Sequence, residues 1–171
     1  MRILIFALFF IQTNLFADDT KIAAPPISIQ LKSDCVAKVC NMTLCMKNIQ
    51  DEDVTIISPF LNEGQLVVNG VYLYPLEDYI RTGSDIYSPR LKREKVTDSF
   101  KEDYLKRIES STELSFGSGE KKCFTLDIEK YYILDSNRYY IGHYILKDSY
   151  KKGNDGNSFF SVSSNVIVIK R

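Results

Sequence analysis

Leu66-Val67-Val68-Asn69-Gly70-Val71-Tyr72-Leu73-Tyr74 is the stretch on which the fold turns. β-Branched and aromatic residues flank an Asn-Gly pair, and a two-residue type I′ turn needs two residues that tolerate positive φ. The stretch predicts a β-hairpin centred on Asn69-Gly70 and, with it, antiparallel β-structure. Toward the N-terminus, Ile27, Ile29 and Leu31 alternate with Ser28, Gln30 and Lys32, the pattern of a strand with one buried face. Cys35 to Asn41 reads as a connector. Leu44, Met46 and Asn48 then alternate with Cys45 and Lys47 up to a turn at Gln50-Asp51-Glu52-Asp53, and Val54 to Ser58 forms a short strand.

Toward the C-terminus, Pro75 to Ser111 loses the alternation. Phe100, Tyr104, Leu105 and Ile108 fall at helical spacing, so a short helix inside a long loop is predicted, and a loop of that length is a place to look for function. Strands resume near Leu114. Phe124, Leu126 and Ile128 form one face of the next, Tyr139 to Leu146 gives another, Lys151 to Asn157 (KKGNDGN) is a turn, and Phe159 to Ile169 is the last strand. Before the penultimate strand, Asn137-Arg138-Tyr139 reads as a sandwich corner. Asn137 there tolerates positive φ, and Tyr139 is the expected tyrosine whose hydroxyl bonds back to the main chain. Eight or nine short strands, one brief helix and no βαβ rhythm predict an all-β, antiparallel, immunoglobulin-like β-sandwich.

Composition sets the boundaries of function. The 171 residues carry 22 Lys+Arg against 22 Asp+Glu, with 44% hydrophobic residues, one His and no Trp. That hydrophobic fraction is a globular one and argues against general disorder. Zero net charge argues against nucleic acid as a partner, since phosphate binding calls for a basic excess. Met1-Arg2 and the apolar run Ile3 to Ile11 lead to a more polar exit ending at Ala17, which is the grammar of a secretory signal peptide. The run is shorter than the ~20 residues a membrane span needs, so no stable membrane insertion is expected after its removal. The expected organisation is a signal peptide at 1–17, a flexible leader at 18–26 closed by Pro25-Pro26, and one β-sandwich domain at 27–171. The protein is expected to be exported, periplasmic or secreted.

Cys35, Cys40, Cys45 and Cys123 suit disulfides in an oxidising compartment. Zinc is disfavoured, because paired short spacings are absent and His143 is the sole histidine. Four cysteines allow three pairings, and spacing does not choose among them.

In order, these signals resemble the non-catalytic β-sandwich module found N-terminal in deuterolysin-type and lysine-specific metalloendopeptidases. The residues that carry the resemblance are Leu44 to Val54 with the Asn48 strand end and its acidic turn, Ser118-Gly119-Glu120 leading into Cys123 to Ile128, the corner Asn137-Arg138-Tyr139, and Ser164-Asn165 before Val166 to Ile169. It covers most of residues 27–171. Ser118 and Asn137 stand where the family has proline and glycine. The His-Glu-x-x-His zinc helix of the peptidase domain has no counterpart here, so the resemblance implies fold and association, not catalysis. If the Cys45 and Cys123 strands are neighbours, as second and fifth strands are in an immunoglobulin-like sheet, the expected bridges are Cys45–Cys123 and Cys35–Cys40.

No catalytic, cofactor-binding or metal-binding residue is expected. His143, in YYIGHYIL, reads as a partly buried strand histidine, with no marked nucleophile to serve. Phe116 to Lys122 lacks the spacing of a phosphate loop and leads into a strand. Asp51, Glu52 and Asp53 read as solvated turn charges, without the alternating ligands of a calcium loop. More suggestive are Tyr72, Tyr74, Tyr79, Arg81 and Tyr87, followed by the basic Arg90, Lys92 and Arg93, because tyrosine and arginine are enriched where proteins grip proteins. The competing view is that the tyrosines pack the sandwich, since strands favour them anyway. The expected function is protein binding by a non-enzyme: an inhibitor, pro-region-like or immunity partner of a secreted peptidase or other hydrolase. The alternative is a structural or envelope-associated module with no enzyme partner.

Overall fold

A computed structural model describes residues 24–36, 39–58, 66, 70–82, 95–109, 112–153 and 156–171. The expected signal peptide, most of the leader, and Asn69 lie outside the described residues. The strands are β1 (Ile27–Val36), β2 (Val39–Asn48), β3 (Val54–Ser58), β4 (Val71–Pro75), β5 (Thr112–Phe116), β6 (Lys121–Asp127), β7 (Tyr139–Lys152), β8 (Ser158–Ser163) and β9 (Ile167–Lys170). Among the described residues, helices with defined bounds are α1 (Leu76–Thr82), α2 (Asp98–Glu109) and the single turn α3 (Ile128–Tyr131).

The strands form two antiparallel sheets, one ordered β1-β2-β6 and the other built around β7. β7 is the spine of the second sheet. Along one edge it pairs with β4 through Tyr140–Tyr144 and with β3 through Ser149–Lys152, and β5 pairs with β3 in turn. Along the other edge β9 takes Tyr139–Gly142 and β8 takes Ile145–Tyr150. In immunoglobulin lettering the sheets are A-B-E and C′-C-F-G, where β3 and β4 are two halves of strand C and β8 and β9 two halves of strand G.

The alternation expected from sequence decides which faces meet. Ile27, Ile29 and Leu31 of β1 and Met42, Leu44 and Met46 of β2 are buried against Ile56, Leu73, Tyr140, Tyr144, Leu146 and Phe160 of the facing sheet. Burying one such aliphatic side chain contributes ~1.5–3 kcal/mol, so this inner layer supplies the main driving force. Gly142 leaves room for this layer, since an added Cβ there would lie 3.1 Å from Leu73 Cδ2 and 3.4 Å from Met42 Cε.

Several sequence expectations change: Ile128 opens α3 rather than continuing a strand, Lys151 and Lys152 belong to β7, and Phe159–Ile169 is split between β8 and β9. At the expected Asn69-Gly70 hairpin, Leu66 and Gly70 are helical and β4 pairs with β7, while Val67 to Asn69 lie outside the described residues. Gly70 does not adopt positive φ, and its glycine answers a steric need, because a Cβ there would stand 2.3 Å from the Ile145 carbonyl oxygen. The supposed connector Cys35–Asn41 is mostly strand, since β1 and β2 pair as far as Val36↔Val39. The corner tyrosine is Tyr140, not Tyr139. Tyr140 is fully buried and its hydroxyl accepts the Asp135 N–H at 2.6 Å, whereas Tyr139 is 45% exposed. Asn137 does take positive φ, 61°, at this corner.

Candidate functional site

The residues that sequence marks for binding part company in the fold. Tyr74 is buried, and with Ile141 it forms a small second cluster on the outer face of the β7 sheet. Tyr72, Leu76 and Tyr79 pack against that cluster. His143 is fully buried within it, stacked on the Tyr72 ring at 5.1 Å between centroids and on Tyr74 at 6.2 Å. The histidine is thus more deeply buried than sequence suggests, and the tyrosines of β4 spend much of their surface on the protein itself. Arg81 is exposed and bonds to Asp78 at 2.7 Å within α1. Tyr87, Arg90, Lys92 and Arg93 lie outside the described residues.

What stands out instead is helix α2. Phe100 and Tyr104, like Lys101 and Leu105, are four residues apart and therefore share a face. With Val96 these side chains line an apolar groove of about 320 Å³. Tyr104 is 45% exposed and Leu105 is 61% exposed. At the root of the groove Phe100 packs edge-on against the buried Tyr132 ring, 5.7 Å between centroids. The helix starts where Thr97 Oγ1 accepts the Phe100 N–H at 3.3 Å, an N-cap interaction that satisfies an otherwise orphaned amide. Lys101 donates to Asp98 at 2.7 Å, and its charge and hydrogen bond hold the Asp98 carboxyl below the ordinary carboxylate range.

Both helices are fastened to the segment around the corner. Tyr131 donates to Asp103 at 3.1 Å, the Thr97 N–H donates to the Tyr131 carbonyl at 3.1 Å, and the Ile133 N–H donates to the Lys95 carbonyl at 2.9 Å. Arg138 ties α1 to the same segment by donating from Nε and Nη2 to Glu77 Oε1 and from Nη1 to Asp135 at 3.1 Å. Those carboxylates raise the Arg138 pKa further, so the guanidinium stays charged. α2 therefore presents its apolar residues from a fixed base.

The remaining marked residues are structural. Asn48 is buried, and its amide donates to the carbonyls of Glu52 at 2.8 Å and Gly117 at 2.9 Å, joining the acidic turn to the Ser118-Gly119 turn. Asp53 accepts the Ser118 N–H at 3.3 Å, and Glu52 pairs with Lys152 at 2.8 Å. Among the described residues no cluster of three or more His, Cys, Asp or Glu side chains is placed to hold a metal ion. Cys45–Cys123 and Cys35–Cys40 are disulfides, each joining directly opposed residues on neighbouring strands. Two such bridges fit an oxidising environment. No helix among the described residues is long and apolar enough to cross a membrane.

No family model and no curated protein sequence matches this chain. Among solved structures it is similar to one described as the X-ray structure of Northeast Structural Genomics Consortium target SoR45. The two are 6% identical with a TM-score of 0.42, over 85% of this chain and 87% of that one.

Proposed function

We propose that this chain is an exported, non-catalytic β-sandwich that binds another protein, as an inhibitor, pro-region-like or immunity partner of a secreted peptidase or other hydrolase. One observation carries the reading: Tyr104 and Leu105 stand exposed over an apolar groove on a helix anchored to the sandwich corner. Large apolar side chains held rigidly at the surface lose little entropy on binding, and buried anchors of this kind dominate interface energetics. The signal-like segment Met1 to Ala17 and the two disulfides support export. The resemblance to a peptidase-associated module supports a hydrolase as the partner.

The test is capture from the exported proteome of the source cells with purified mature protein, alongside Leu105→Asp. A hydrolase retained by the wild type and released by the variant is the expected result. Recovery of envelope components alone would replace this reading with that of a structural, envelope-associated module. Intact mass spectrometry checks the address: a mature start at Asp18 with two disulfides is expected, and a retained Met1 with free thiols would overturn export.

A further inference from the structure

The outer face of the β1-β2-β6 sheet carries a different concavity, away from the helices. Register places its side chains in rows across the three strands: Ser28–Lys47–Lys121, then Gln30–Cys45–Cys123, then Lys32–Thr43–Thr125. These rows hold three lysines, and the carboxylates of that face, Asp34 and Asp127, lie in the row beyond Lys32, three rows from the Lys47–Lys121 pair. Among the described residues, none of the three lysines makes an ion pair. Lys47 and Lys121 stand directly opposite each other, an arrangement that destabilises a sheet because the charges repel at cross-strand distance. The nearest acidic side chain along the chain, Glu120, is turned away: it accepts the Gly117 N–H at 2.7 Å and faces Lys122 at 3.6 Å. The two lysines line a groove of about 380 Å³ that continues past Ser28 and Gln30 and has the Cys45 side of the disulfide in its wall.

We infer that this groove is an oxyanion site for a phosphate or sulfate group, whether a free ion or one carried on an acidic glycan chain. A doubly charged oxyanion between the two ammonium groups converts their repulsion into attraction. Lysine serves as a compact point charge for such anions, and the Ser28 hydroxyl and Gln30 amide are neutral donors within the same groove. The disulfide pins β2 to β6 one row away, so the lysine pair is held together before any anion arrives. The inference stands apart from the partner-binding reading, which concerns α2.

The test is titration of inorganic phosphate, inorganic sulfate and dextran sulfate at matched ionic strength into four proteins. These are the wild type, the double variant Lys47→Gln/Lys121→Gln, the charge reversal Lys121→Glu, and a control with exposed lysines of the other sheet replaced, Lys147→Gln/Lys170→Gln. Binding at least tenfold weaker in the first two variants and unchanged in the control is expected. In anion-free buffer Lys121→Glu should melt above the wild type, because it pairs with Lys47, which also shows that the variant folds. Saturable binding of free phosphate or sulfate assigns the site to the ion itself. Binding of dextran sulfate alone, lost in the same variants, assigns it to the chain-carried group. Equal weakening in the control, or no binding of any of the three probes, overturns the inference.

Discussion

Asn48, Tyr140 and Asn165 satisfy main-chain groups that no β-ladder reaches. Asn165 is the plainest: its Oδ1 accepts the Leu31 N–H at 2.8 Å and its Nδ2 donates to the Leu31 carbonyl at 2.9 Å, so one amide mimics a ladder rung between β1 and the opposite sheet. Asn165→Ala should lower stability by ~1–3 kcal/mol and Asn48→Ala by at least as much, since unmade hydrogen bonds at partly or fully buried groups cost about that each. Urea denaturation with an unchanged m-value checks both. Tyr140→Phe should cost about 1 kcal/mol for the lost Asp135 bond, and Tyr139→Phe nothing measurable. Part of this was legible in the sequence. Asn137 at positive φ follows from its own short side chain. The choice between Tyr139 and Tyr140 does not, because adjacent residues of a strand point to opposite faces and only packing says which face is the inner one.

Helix α2 was legible because Phe100, Tyr104, Leu105 and Ile108 repeat at helical spacing along twelve residues, Asp98–Glu109. Helix α1 was not. Seven residues with none buried are too few to hold a helix in water, and its anchor, Glu77 to Arg138, is sixty-one positions away in sequence. Arg138→Ala should therefore loosen α1 locally. Amide exchange in Leu76–Thr82 should quicken, while global stability falls by less than about 1 kcal/mol, as for most exposed ion pairs. Leu105→Asp should leave the melting temperature unchanged, since Leu105 is 61% exposed, while abolishing partner capture. Equal loss of stability and binding would make Leu105 a packing residue instead. The expected turn at Asn69-Gly70 misreads Gly70 for an equally local reason. Its glycine reads the same whether a turn needs positive φ or a neighbouring carbonyl needs room, and here Ile145 needed the room.

Across the whole molecule the two disulfides act unequally. Cys45–Cys123 closes 78 positions of chain and Cys35–Cys40 only 5. In the chain-entropy model these lengths correspond to about 4.5 and about 2 kcal/mol. The first is a large share of the ~5–15 kcal/mol that holds a domain folded. Cys45→Ala/Cys123→Ala should accordingly lower the urea midpoint well below that of Cys35→Ala/Cys40→Ala, and equal effects would refute the loop-length account. By itself the sequence determined most of the strands, their buried faces and the class of sandwich, because side-chain alternation and turn chemistry are local properties. The pairing of Cys45 with Cys123 became legible only by supposing that their strands are neighbours. Tertiary structure alone decided that β3 and β4 share one edge of β7, that His143 and Tyr74 are buried on the outer face, that α2 carries the exposed apolar groove, and that Lys47 meets Lys121. Each of these depends on which distant segments come together, and strand order follows from how whole faces pack rather than from any window of residues.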